Sequence, residues 1–241
     1  MQSISWLALS WCFIPIIIIS GIYIAWKGDV KEVLIASARM LIQLIAVGYV
    51  LIAMFNNPSP ILTLTIMGIM ISAAAWIAIR PVRHHHGYLL PAFISLLVAV
   101  SLHLFISVTL VLDMQIWYLP KVIIPLAGMY FANTMNAISL AAERFHANLH
   151  EGKSAQQARI SAFKGAMIPQ INTLLAVGLV SLPGMMTGQI LSDVSPLIAV
   201  RYQIMIMTML LGASGLGAAL MLWQLQRKSA DLKLQSSPHQ H

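Results

Sequence analysis

The chain has 241 residues, of which 59% are hydrophobic and only 9% charged, with a mean hydropathy of +0.83. A soluble domain carries about 25% charged residues, so this composition excludes an ordinary water-soluble fold. The net charge of +7 does not point to nucleic acid, because the basic residues gather at the ends of apolar runs rather than on one face.

Apolar runs of about 20 residues, enough to cross a ~30 Å hydrocarbon core as helix, recur along the sequence. It reads as an all-α membrane protein, a polytopic bundle of about seven transmembrane helices forming a single domain over 1–241. The first span is expected from Ser3 to Trp26. It lacks a basic leader and is too long for a cleaved signal. Its lone cysteine, Cys12, allows no intrachain disulfide. The second span runs from Val33 to Phe55 and carries Arg39 with Gln43 one turn on, where snorkelling accounts for the arginine.

The third span covers Pro60 to Ile79. A basic turn follows, with His84, His85 and His86; these read as a wet turn rather than a metal site, since three adjacent imidazoles rarely converge on one ion. The fourth span, Tyr88 to Leu112, holds His103 between Ser101 and Ser107. An intramembrane histidine is a functional candidate, although a hydrogen-bonded packing role is the reading that the sequence favours.

The fifth span, Val122 to Ala142, is the least lipid-like. Asn133 and Asn136 are three apart and share a helix face with Met129 and Leu140. This face is either a polar lining for a transport path or a set of interhelical hydrogen bonds, worth about 0.6–2 kcal/mol each. Residues 143–165 then form the one long polar interruption, expected as a cytoplasmic coupling loop. Gly152-Lys153-Ser154 imitates the end of a phosphate-binding loop, but Ala147 stands where the leading glycine is needed and no strand precedes it, which argues against ATP binding by this chain.

The sixth span is expected from Ala166 to Leu182, broken at its outer end by Pro183-Gly184. Met185, Met186 and Gln189 follow the break as a candidate gate, with a plain interhelical turn as the alternative. The seventh span runs from Pro196 to Gln224, with Ala213/Gly217 and Gly215/Ala219 as small-residue packing pairs. A polar tail, 225–241, closes the chain.

Lys27, Lys31, Arg80, Arg83, Arg144, Lys153, Arg159, Lys164, Arg227, Lys228 and Lys233 fall on one side of this arrangement, against Lys121 and Arg201 on the other. The positive-inside rule makes the basic side cytoplasmic, with the N-terminus outside and the C-terminus cytoplasmic.

Several strings resemble the FetB-type permeases of ABC transporters, a family implicated in metal export. They are Ala38-Arg39-Met40-Leu41-Ile42-Gln43-Leu44, Ile124-Pro125-Leu126-Ala127-Gly128-Met129 with Asn133, Gly178 to Ile190 around Pro183-Gly184-Met185-Met186-Thr187-Gly188, and Arg201-Tyr202-Gln203-Ile204. The resemblance implies a permease subunit in an inner membrane, a homodimer surrounded by lipid and driven by a separate ATPase that holds ATP and Mg. No cofactor is expected on this chain. It further implies that a short helix in the cytoplasmic loop docks on the ATPase, with Gly152 as its turn and Ser154, Ala155, Gln156, Ala158 and Arg159 as coupling residues. Gln203 joins the candidate path. The cargo would be iron or another metal; alternatives are a non-metal substrate such as a sugar nucleotide, or a membrane adaptor without transport.

Overall fold

The computed structural model describes residues 5–82 and 87–236, with residues 229–236 as helical backbone only. The triple histidine at 84–86 and the tail histidines His239 and His241 lie outside the described residues. The described residues are almost entirely helical, in two compact units, 1–57 and 58–241.

In the first unit, α1 (Trp6–Ser10) and α2 (Ile14–Ala25) form one span of Trp6–Ala25 with a 3-10 turn at Trp11–Phe13. The cause is Pro15, whose missing N–H cannot reach the Trp11 carbonyl; the Ile14 N–H takes that carbonyl instead. Lys27 sits at φ 57, and Gly28 N–H closes the end onto the Tyr23 carbonyl at 2.7 Å. Asp29 then caps α3 (Val30–Asn56), its side chain accepting from the Lys31 N–H.

The second unit contains α4 (Pro60–Ala78), α5 (Leu89–Phe105), α6 (Pro120–His150), α7 (Ala155–Ala176), α8 (Gly184–Leu191) and α9 (Pro196–Ser236). Helix α9 is its organising element and packs on α5, α6, α7 and α8. Lipid provides no hydrophobic drive between helices, so close backbone approach through small side chains must hold them. The core follows that rule: Ala75, Ala99, Ala127, Ala141, Ala162, Ala213 and Ala218 are all fully buried. At Gly217 three helices meet, with Thr134 and Ile138 of α6 and Ala99 of α5 against its α-carbon.

Helix α5 continues as a π-helical turn over Ile106–Val111. The wider turn brings Ser107 to α6, where its hydroxyl and the Tyr130 hydroxyl share a buried 2.7 Å hydrogen bond.

Among the described residues six helices are long and apolar enough to cross a membrane, against the expected number of about seven. Trp6–Ala25, Val30–Asn56, Pro60–Ala78, Leu89–Val111, Pro120–His150 and Pro196–Lys228 match expected spans. The expected sixth span, 166–182, is corrected. Helix α7 stops at Ala176, where Val177 is extended and Gly178 takes φ +83. Helix α7 itself, with 22 residues at about 1.5 Å each, is long enough to cross a bilayer, but its polar first turns keep it out of the six apolar helices. Pro183-Gly184 is likewise corrected from a helix break to a helix start: Pro183 is the N-cap of α8. Proline suits a helix's first turn because its absent N–H would be unpaired there anyway.

Residues 143–165 are mostly helical. Glu143 to His150 prolong α6 and Ala155 onward belongs to α7, leaving 151–154 as the connection. Polarity marks where water begins, not where a helix must end, and no strong breaker precedes Gly152.

Candidate functional site: the polar hairpin and the α6 stripe

The α6–α7 hairpin is built tightly. Gly152 occupies φ +83, which lets its N–H reach the Leu149 carbonyl at 3.0 Å and the Lys153 N–H reach the Asn148 carbonyl at 3.1 Å. This paired closure terminates helices at a left-handed residue, usually glycine. Lys153 Nζ also donates to Asn148 Oδ1 at 2.5 Å and to Glu151 Oε2 at 2.9 Å. One residue on, Ser154 and Gln157 form a reciprocal capping box, Gln157 N–H to Ser154 Oγ at 3.3 Å and Ser154 N–H to Gln157 Oε1 at 3.2 Å.

The predicted coupling residues separate here. Gly152, Ser154 and Gln156 are exposed at the tip, Ala155 and Arg159 are half-buried, and Ala158 is fully buried. The short docking helix that the resemblance implies is the first part of the longer α7.

One contact joins the two arms of the hairpin and another ties it to the start of α5. Arg144 of α6 lies across Gly165 of α7; a Cβ there would sit 2.6 Å from the guanidinium. His146 Nε2 is hydrogen-bonded to the Tyr88 hydroxyl at 2.6 Å, with ring centroids 5.1 Å apart. Burial raises the Tyr88 pKa above its ordinary value of 10.0. A raised folded-state pKa keeps the group's stabilisation intact below pH 10 and loses it as pH climbs through the folded value. Tyr88→Phe is therefore expected to remove that alkaline loss and to cost about 1 kcal/mol at neutral pH through the missing hydrogen bond. Thermal unfolding in detergent at pH 7 and above pH 10 checks both; an unchanged alkaline profile refutes the assignment. Nearby, Lys228 Nζ donates to the Gly87 carbonyl and ties the α4–α5 turn to α9.

The path candidates are distributed. Arg39 and Gln43 lie exposed, one turn apart on α3 of the first unit. In the second unit, Met129, Asn133 and Asn136 lie along a partly exposed stripe of α6, and Asn133 Nδ2 donates to the Met129 carbonyl at 2.9 Å. Thr134, between the two asparagines, is fully buried against Gly217. His103 Nδ1 donates to the Ala99 carbonyl at 2.7 Å, which leaves Nε2 against Gly212 of α9. Met186 is buried in α8, while Pro183, Met185 and Gln189 are half-buried and Gly184 is exposed. Gln203 is buried in α9. Among the described residues no group of three His, Cys, Asp or Glu side chains is placed to hold a metal ion.

Sequence reasoning missed the Arg144–Gly165 and Tyr88–His146 contacts. Each joins residues far apart in the chain. Gly165, buried in the middle of α7, was the one visible signal.

A polytopic helical membrane protein is the class these features define. The profile of the uncharacterised protein family UPF0014 matches residues 6–229, and the chain belongs to that family. It is 33% identical over 204 residues to a UPF0014 membrane protein of Synechocystis, covering 77% of this chain and 79% of that one. It is 33% identical over 214 residues to the probable iron export permease protein FetB of Escherichia coli K12, covering 82% and 81%. Protein ALUMINUM SENSITIVE 3 of Arabidopsis thaliana is 31% identical over 198 residues, covering 76% and 71%. No solved structure matches.

Proposed function

We propose that this chain is the membrane permease subunit of an ATP-driven exporter that moves iron or another metal across the inner membrane. A separate ATPase drives it, and two copies form the working unit. The observation that carries this reading is the α6–α7 hairpin. Its tip is closed by Gly152 and capped by Ser154 and Gln157, and both arms pack into the unit's core, α6 and α7 each against α9. Such an element passes a push at the tip to the spans as a rigid lever. A relative named as an iron export permease supports the cargo class. With no cluster of metal-binding acids or histidines among the described residues, weaker oxygen donors on the α6 stripe are the fitting ligands for a cargo that must also leave.

On this reading Asn133→Leu and Asn136→Leu are each expected to lower ATP-driven metal export at least tenfold while leaving the amount of folded protein unchanged. Efflux from liposomes holding the permease with its ATPase measures this. Full export by the double variant would favour an adaptor without a transport path.

A further inference from the structure

A groove of about 580 Å³ runs between the polar end of α7 and the Ala219 to Trp223 stretch of α9. Its floor is apolar, formed by Ile160 and Phe163 from α7 and Leu220 from α9. Its rim is cationic: Arg159 and Lys164 line the groove, and Arg159 shares an adjoining cavity of about 260 Å³ with Arg227. Among the described residues no carboxylate lines either space. Arg227 is held in place over the Trp223 ring, 3.7 Å from its centroid. The α9 wall of the groove belongs to the membrane-crossing segment Pro196–Lys228.

We propose that this groove is a binding site for one anionic phospholipid, its phosphate held by Arg159, Lys164 and Arg227 and an acyl chain lying on the apolar floor. Guanidinium groups present a planar fork that matches phosphate oxygens, and basic side chains at the membrane surface attract anionic lipid. The floor selects lipid over a free anion, because inorganic phosphate gains nothing from Ile160 and Phe163. A lipid entering here leaves hydrocarbon only for another apolar surface, since the wall is itself part of a span. The site lies beside the hairpin tip, and the argument for it does not depend on the cargo.

Full-length protein is extracted from phosphatidylcholine vesicles doped with phosphatidylglycerol, and retained lipid is counted by native mass spectrometry. Phosphatidylglycerol should be retained preferentially. That preference should fall about fivefold in each of Arg159→Gln and Arg227→Gln. Ile160→Trp, which fills the groove and keeps every charge, should also lower retention. Equal retention of both lipids, or a preference untouched by the arginine variants, overturns the proposal. So does displacement of the lipid by millimolar inorganic phosphate, which identifies a free-anion site. Protection of the groove only on adding the ATPase chain, independent of lipid type, identifies a protein-docking surface and equally overturns it. Brominated phosphatidylglycerol provides a readout in the unaltered chain: it should quench Trp223 more than brominated phosphatidylcholine does, with Trp223→Phe supplying the background. Equal quenching refutes the site even where an arginine variant misfolds.

Discussion

Gly152→Pro is expected to reduce ATP-driven export to background while the protein still inserts and folds. Proline fixes φ near −65°, whereas this position requires +83°. The substitution also deletes the N–H that closes onto the Leu149 carbonyl and disturbs the neighbouring bond from Lys153 to Asn148. The local cost is about 1–3 kcal/mol of backbone strain plus roughly 1 kcal/mol for the lost hydrogen bond. The hairpin relieves it most cheaply by opening at the tip, because the packed contacts behind it, Ala158 and Phe145, are fully buried. On the proposed permease reading, a loosened tip is expected to keep ATPase binding and to lose force transmission. Gly152→Asn is the matched control, since asparagine tolerates the left-handed region, and it should retain most export. Efflux from proteoliposomes with the ATPase, alongside the unfolding temperature, separates coupling from folding. Normal export by the proline variant would remove the hairpin from the mechanism.

The second large effect concerns the core. Gly217→Val is expected to lower the unfolding temperature sharply and to impair accumulation in the membrane. A Cβ at this site would lie 2.4 Å from Thr134 Cγ2 and 3.4 Å from Ile138 Cδ1. The obstructing atoms belong to short or buried side chains at the fully buried face of α6, so they have little room to turn. Overpacking a dense core costs about 1–3 kcal/mol. In a bilayer the alternative, separating α6 from α9, forfeits the close packing that holds the helices together. Gly217→Ala with Thr134→Ala should recover much of the loss, because it returns the volume that the new methyl takes. If Gly217→Val unfolds at the wild-type temperature, the close approach of α6 and α9 is wrong.

These two glycines show how far the sequence can be read. Gly152 was expected as a turn through the family resemblance, and its φ of +83 shows why glycine stands there. Gly217 was legible as a packing residue through its spacing from Ala213, but its neighbours were not. Thr134, Ile138 and Ala99 come from two other helices, and no local rule pairs them. Asn133 and Asn136 could be assigned to one helix face by periodicity alone. That this face is partly exposed, while Thr134 is buried, depends on how α6 is rotated against α9.

Hydropathy by itself determined that the chain is a membrane protein and where six of its spans lie, since a 20-residue apolar run has few other stable options. It could not decide the fate of 166–182. Gly178 and Pro183 are both potential breakers five residues apart, and local signals rank them equally. Only the folded chain makes Gly178 the terminator and Pro183 a cap. Polarity likewise hid the helices on both sides of the 151–154 turn, because it reports contact with water rather than backbone conformation. The contacts of Arg144 with Gly165 and of Tyr88 with His146, and the cavity shared by Arg159 and Arg227, arise only when the helices are set side by side. Side-chain packing between distant segments is a property of three-dimensional proximity, which a linear pattern does not encode.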